Sequence, residues 1–395
     1  MAFFKKNELK LLWPFYLESI SKILLILPAF MIIYFMNLGF SLFQIGLLLA
    51  VWPLFALLFE IPTGAIADIY GRKTSVLLGI FLQGIILLLF YFTQNYIIIL
   101  ILMGFLGTFS TLVSGANKAW VTDLINKKNK KLLHDYFSKS MSFRSVGFVI
   151  SGLIGVLVVK SFGINIIWII TSFGFFLSFF IMLFGKEEYI KKKTNLKNPF
   201  KKINKKTITS IKYSFKKKVL FYILIAGLIL TFASSFNAII SWTPLLKSLG
   251  YPDYAFGYLI SLIALVGVVA PLISRRFVKN NNERKIITTF LIGLMIFSLL
   301  FIFTNNIIFT FFVIFGASFF IYSIYPTWTV YLQKFIPSKF RATINSIDSM
   351  LVSLAVIIAL PIAGLLLDLI GPRITIFISG IIMIPVIIIF LKLKD

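Results

Sequence analysis

Four ionisable side chains interrupt long apolar stretches of this sequence: Glu18, Lys22, Glu60 and Lys118. A charge inside a membrane is costly, so such residues pair with one another or take part in binding and proton transfer. Glu18 and Lys22 are four residues apart, which brings them to one face of a helix and lets them form an ion pair. A Glu60–Lys118 pair is the second combination that would remove the cost of a lone charge.

Two kinds of chemistry follow from these residue types, and the sequence leaves both open. In the first, Glu18 or Glu60 takes up and releases a proton, because burial disfavours the charged carboxylate. In the second, the acids and lysines are fixed ion pairs that hold helices together. Arg144 and Asp348 lie close to the ends of apolar segments, where water can solvate them.

The sequence contains no other residue pattern typical of a catalytic or metal-binding site. It has no cysteine and a single histidine. A metal site needs clustered His, Cys or carboxylate ligands, and nucleophilic catalysis needs a nucleophile beside a base. Neither pattern occurs, nor does a phosphate-binding glycine loop. We therefore expect no cofactor, no metal ion and no enzymatic activity.

The apolar stretches that hold these charges dominate the composition. Of 395 residues, 59% are hydrophobic and 13% are charged, whereas a soluble domain has about 45–50% apolar and about 25% charged residues. This balance excludes a soluble enzyme, a disulfide-bonded secreted domain and a disordered chain. It predicts an all-α protein that crosses a membrane many times.

Twelve segments are apolar and long enough for a spanning helix, which needs about 20 residues. The predicted spans are 11–37, 41–67, 73–94, 96–125, 141–160, 163–185, 219–247, 254–276, 286–304, 306–335, 341–369 and 372–391.

The formal net charge of +26 has a topological explanation. When the spans alternate in direction, 33 of the 39 lysines and arginines fall on the side of both termini and three on the other side. Cytoplasmic loops carry such an excess of basic residues. The sequence therefore predicts cytoplasmic termini in the cytoplasmic (inner) membrane, and no nucleic acid as the partner of these charges.

The long loop at 186–218 contains thirteen lysines and divides the chain into 1–185 and 219–395. Two six-helix bundles joined by a cytoplasmic linker are the layout of transporters built from repeats. The linker either acts as a solvated topology signal or binds anionic lipid headgroups.

A motif joins the second and third spans: Gly64-x-x-x-Asp68-x-x-Gly71-Arg72-Lys73. Gly71 permits a tight turn, and Gly64 permits the close approach of a neighbouring helix. The motif resembles the loop signature of the major facilitator superfamily, and the six-plus-six plan extends this resemblance along the chain. The resemblance implies alternating access by two six-helix bundles.

The resemblance also implies a gate. Asp68, Arg72 and Asp123 would form a charge cluster that latches the two halves in the outward-open state, with Arg341 near the partner side of the latch. The alternative is a static anchor for the helix ends.

In this family helices one, four, seven and ten line the substrate cavity, which makes Glu18 of the first span the favoured acid for proton transfer. Polar residues recur on the other three of these spans. We expect the cavity to be lined by polar and aromatic side chains at Thr111, Gly115, Thr231, Ser234, Asn237, Trp242, Tyr322, Tyr325 and Thr329. Hydrogen bonding between helices is the alternative explanation for these positions.

Taken together, these patterns predict a monomeric secondary transporter for a small molecule, with proton-coupled efflux of drug-like or amphiphilic compounds as the favoured activity. Import of a small solute or anion on the same fold is the first alternative. A non-transporting receptor or a membrane-embedded enzyme is the alternative from another class.

Overall fold

The structure is a computed structural model that describes residues 4, 8–128, 132–187, 217–278, 282–337 and 340–393. Most of the basic linker predicted at 186–218 lies outside these residues. Within them every regular element is helical, which confirms the all-α prediction.

Fourteen α-helices follow one another along the described residues. They are α1 Glu8–Ile20, α2 Leu27–Asn37, α3 Leu42–Tyr70, α4 Arg72–Tyr91, α5 Tyr96–Lys128, α6 Leu132–Phe162, α7 Ile167–Leu183, α8 Lys218–Phe236, α9 Ile239–Ser248, α10 Phe256–Ser274, α11 Glu283–Leu300, α12 Ile307–Lys334, α13 Arg341–Ile382 and α14 Ile384–Lys392. Short 3-10 turns cover Ser21–Leu24, Ile164–Ile166, Asp253–Ala255 and Phe301–Phe303.

Eleven stretches of the described chain are long and apolar enough to cross a membrane. The last of them, Thr343–Lys392, has 50 residues, about 75 Å of helix at 1.5 Å per residue. Gly371 interrupts it with a left-handed backbone (φ +77°). Because a bilayer core is about 30 Å thick, this stretch supplies two crossings. The described chain therefore accommodates the twelve predicted spans.

The sixth helix, α6, begins at Leu132, nine residues before the start of the predicted span at 141. The extra turns carry Asp135 and Lys139, which lowered the hydropathy of this segment. Tyr136 is buried here beside Phe15 and Tyr16 of α1. Aromatic packing thus continues the helix beyond its apolar part.

The described residues form two compact units that do not follow the order of the chain. Unit 1 comprises the described parts of 1–39, 51–194 and 252–264, and unit 2 those of 40–50, 195–251 and 265–395. Each unit thus includes one helical segment from the opposite half of the sequence. The functional bundles at 1–185 and 219–395 remain a prediction.

Close backbone contact holds helices together inside each unit. In unit 1, a Cβ at Gly107 of α5 would lie 2.3 Å from the Trp52 carbonyl oxygen of α3. In unit 2, a Cβ at Gly46 would lie 2.4 Å from the Leu360 carbonyl oxygen of α13. Such contacts require glycine, because any side chain would force the backbones apart.

Candidate gating cluster and intramembrane polar sites

The predicted ion pair between Arg72 and Asp123 is present in unit 1. Arg72 is the first residue of α4 and directly follows the turn at Gly71, where φ is +100°. Its guanidinium group donates to the Asp123 carboxylate and, at 2.7 Å, to the Ala119 carbonyl oxygen. The Asp123 side chain is 61% exposed. A bridge this exposed contributes at most about 1 kcal/mol, so it can break and re-form readily.

A second acid, Glu187, contacts Lys73 next to this bridge and was not predicted from the sequence. Its carboxylate accepts the Lys73 backbone N–H at 3.0 Å, while the Lys73 ammonium donates to the Leu183 carbonyl oxygen at 2.7 Å. An acid at a helix N-terminus is stabilised by the helix dipole. Glu187 lies at the edge of the predicted linker, where many nearby lysines are equally plausible partners. The sequence alone therefore does not predict its contact with Lys73.

The other predicted gating residues differ in environment. Asp68 is exposed near the end of α3 in unit 1, and Arg341 is exposed at the start of α13 in unit 2. The close approach expected at Gly64 is wrong for this structure, because no described heavy atom lies within 4 Å of a Cβ built there. Gly64 is on an exposed face of its helix.

Glu18 and Lys22 form the ion pair that their spacing predicts. The Lys22 ammonium lies 2.8 Å from the Glu18 carboxylate and 5.5 Å from the centre of the Phe175 ring. Glu18 is 5% exposed. This buried acid therefore has a fixed cationic partner.

Glu60 and Lys118 do not pair; both are exposed, with no ion pair joining them in the described structure. The hydroxyl of Thr63 donates to that of Thr111 at 2.8 Å and sets the register of α3 against α5. Glu60 is three residues before this point and Lys118 seven residues after it, on helices that run in the same direction. At 1.5 Å per residue they are about 15 Å apart along the helix axes.

A further buried ion pair lies at the start of the first helix. The Lys139 ammonium of α6 contacts both Glu8 carboxylate oxygens, at 2.7 and 2.8 Å, and Tyr16 donates its hydroxyl to the same acid. Glu8 is fully buried. The sequence pattern does not predict this pair, because both residues fall outside the predicted spans, at positions expected to be in water.

The predicted cavity residues separate into two groups. In unit 2, Ser234, Asn237 and Trp242 line an internal cavity between the helices. In contrast, Tyr322, Tyr325 and Thr329 are exposed along α12.

The remaining predicted site residues are more scattered. In unit 1, Gly115 and Arg144 are exposed and Thr111 is half-buried; in unit 2, Thr231 and Asp348 are half-buried. No group of three or more metal-ligating side chains occurs among the described residues.

Comparison with known proteins relates the chain to one transporter superfamily. The family model for the Major Facilitator Superfamily matches residues 19–359. An uncharacterised MFS-type transporter of Bacillus subtilis, YxaM, is 25% identical over 382 residues, which cover 92% of this chain and 91% of that protein. An uncharacterised MFS-type transporter of Methanocaldococcus jannaschii is 27% identical and covers 63% of this chain and 62% of its own length.

Solved structures share the fold at low identity. The nucleoside transporter NupG superposes with a TM-score of 0.77 at 12% identity, covering 97% of this chain and 99% of that one. A bacterial homologue of the iron transporter ferroportin, in an inward-facing state, has a TM-score of 0.73 at 13% identity and covers 96% of each chain. The expected membrane fold class is therefore confirmed.

Proposed function

Because the chain belongs to the Major Facilitator Superfamily, we propose that it works by alternating access as a proton-coupled exporter of drug-like or amphiphilic solutes. The observation that supports this cycle is the exposed Arg72–Asp123 bridge between α4 and α5. In the proposed latch, Asp68, Gly71, Arg72, Lys73 and Asp123 hold one conformation and Arg341 contributes from the other half. A weak, exposed bridge suits a contact that must break once in every cycle.

For proton coupling, Glu60 is the better of the two candidate acids. Glu18 is buried against Lys22 at 2.8 Å, and losing its charge would leave that ammonium without its partner. Glu60 is exposed and has no ion pair in the described structure. It can therefore exchange a proton without breaking another contact.

The proposed solute class rests on the residues that α12 leaves exposed. Tyr322 and Tyr325 are 38% and 76% exposed, and aromatic rings with a polar tip suit amphiphilic molecules. A nucleoside transporter, a peptide transporter and a bacterial homologue of the iron transporter ferroportin share this fold, so the fold alone does not determine the solute. Import of a small solute or anion is the alternative on the same scaffold.

We further propose a monomer in the cytoplasmic membrane with both termini in the cytoplasm. The lysine excess on one side of the predicted spans supports this orientation. Anionic lipid at the linker is part of the same proposal.

A non-transporting receptor or a membrane-embedded enzyme is the alternative from another class. Such a protein would need neither a bridge that breaks nor Glu60. Substitutions of Arg72, Asp123 or Glu60 that abolish transport would therefore favour a transporter over that class.

The test is a panel of aromatic and amphiphilic solutes in proteoliposomes, with and without an imposed pH gradient. We expect at least one solute to move faster than in empty vesicles, and to move against its gradient when the pH gradient is present. Glu60→Gln should abolish the effect of the pH gradient while leaving downhill exchange intact. No movement above empty vesicles for any solute would contradict the transporter proposal.

A further inference from the structure

The first and seventh membrane crossings are both interrupted. In unit 1, the 3-10 turn Ser21–Leu24 separates α1 from α2. In unit 2, α8 ends at Phe236 and α9 begins at Ile239, with Ala238 in an extended conformation. Interrupted helices at corresponding positions of two repeats indicate binding sites in transporters.

A small cavity of about 30 Å³ lies beside the second interruption. Its polar lining comes from Ser234 and Asn237 of the broken crossing and from Ser318 of α12. The apolar part of its wall comes from Trp242, Leu294, Ala317, Ile321 and Met383. None of these side chains carries a charge.

The Asn237 amide already makes hydrogen bonds that stabilise the interruption between α8 and α9. Its nitrogen donates to the Ser298 hydroxyl at 2.9 Å, and its oxygen accepts from the Trp242 indole nitrogen at 2.8 Å. This side chain ties α9 and α11 to the break. It is therefore not the group that would bind an occupant of the cavity.

Two hydroxyl groups of the cavity wall remain available to bind an occupant. The Oγ atoms of Ser234 and Ser318 are inaccessible and have no hydrogen-bond partner in the described structure, and Ser318 is only 1% exposed. Neighbouring serines differ, since Ser235 donates to the Thr231 carbonyl oxygen at 2.9 Å. Leaving a buried hydroxyl unsatisfied costs free energy, so two of them at one cavity indicate an occupant that donates and accepts hydrogen bonds.

We propose that this cavity binds an uncharged hydroxyl group, supplied by water or by the transported solute, through Ser234 and Ser318. An ion is excluded because the wall offers no counter-charge, and an unpaired buried charge is strongly unfavourable. A whole drug-sized ligand is excluded because the cavity of about 30 Å³ has room for one or two groups the size of a water molecule, each of which needs about 10–15 Å³. If the hydroxyl group comes from a transported solute, this inference rests on the proposed function. If it comes from water, it does not.

The first experiment measures thermal unfolding of purified full-length protein carrying Ser234→Ala and Ser318→Ala, alone and together. If an occupant bonds to both hydroxyls, the double variant unfolds at a midpoint about 1–2 °C lower than the wild type. The matched control is Ser235→Ala, whose hydroxyl is satisfied within its own helix. A midpoint that is unchanged or raised in the double variant overturns the proposal. Hydroxyls that bond to no occupant can be removed from an empty cavity without lowering the stability of the protein.

The second experiment separates the two sources. Transport KM is measured for a hydroxylated solute of the panel and for its deoxygenated analogue, in the wild type and in Ser318→Ala. A solute hydroxyl in the cavity predicts about a fivefold rise in KM for the hydroxylated solute alone. Water predicts equal KM changes for both solutes. If no solute is transported, the proposed function fails, but the unfolding result still decides whether the cavity is occupied by water.

Discussion

The Asp368 carboxylate of α13 accepts the backbone N–H groups of Leu42 at 3.0 Å and of Phe43 at 2.8 Å, and so caps the start of α3. The next N–H, that of Gln44, is bound by the Ser41 hydroxyl. A negative charge at this end of a helix is favoured by the dipole and by charge-assisted hydrogen bonds. Asp368 therefore ties α13 to the start of α3, which is the part of α3 that belongs to unit 2, although the bonded residues are more than 300 positions apart in sequence.

Asp368→Asn should loosen this contact, because the amide has one acceptor oxygen and no charge. The natural chain has no cysteine, so Ile45→Cys, at a fully buried position of α3, gives a reporter without background. We expect the rate of thiol labelling of that cysteine to rise about fivefold in Asp368→Asn. Equal labelling rates with and without the substitution would mean that Asp368 does not hold α3.

The glycines at the same contact give a packing prediction. Gly364→Ala would place a Cβ 2.2 Å from the Leu42 carbonyl oxygen, and overpacking of this kind costs about 1–3 kcal/mol. Gly115→Ala is the matched control, since nothing lies within 4 Å of its Cβ and alanine favours a helix interior. Thermal unfolding should show a lower midpoint for Gly364→Ala and an unchanged or higher one for Gly115→Ala. The reverse order would contradict the close contact of α3 and α13.

The bridge at the predicted gate should affect turnover more than folding. Arg72→Gln removes the contacts with Asp123 and with the Ala119 carbonyl oxygen, together worth about 1 kcal/mol at this exposure. We expect transport to slow about fivefold while the unfolding midpoint moves little. Arg276→Gln, at an exposed arginine in the turn after α10, is the control and should transport at the wild-type rate. Normal transport by Arg72→Gln would leave the bridge as a static anchor.

The buried pair of Glu8 and Lys139 should show the opposite pattern. Glu8→Gln leaves the Lys139 ammonium, 15% exposed, without its counter-ion, and such a loss costs about 3–5 kcal/mol. Glu8→Gln combined with Lys139→Met should recover most of this stability, because no buried charge remains. Unfolding of the two single variants and the double variant measures the coupling. Additive losses would show that the two residues do not act as a pair.

The sequence predicted the crossings well because each is a long apolar run, and a membrane admits few other structures. It also predicted the Glu18–Lys22 pair, since spacing within one helix decides which side chains meet. The Glu60–Lys118 combination failed because the register between α3 and α5 depends on Thr63 and Thr111, which no single-helix pattern reveals.

Contacts between distant segments were the part that sequence reasoning missed. Glu8, Glu187 and Asp368 each act on a helix far away in the chain, and each sits in a stretch that reads as loop or span end. The cavity beside Asn237 was half predicted: its polar residues stood out on the seventh span, but the interruption between α8 and α9 has no proline or glycine to mark it.

The proposed function requires that this chain moves a solute at the expense of a proton gradient, and its signature is accumulation of the solute inside vesicles. Solute accumulation is followed in proteoliposomes under an imposed pH gradient, for the wild type and for Glu60→Gln, with Glu18→Gln in parallel. We expect gradient-driven accumulation by the wild type that is lost in Glu60→Gln, while solute exchange without a gradient persists. Accumulation by Glu60→Gln equal to that of the wild type at every pH would contradict proton coupling through this acid.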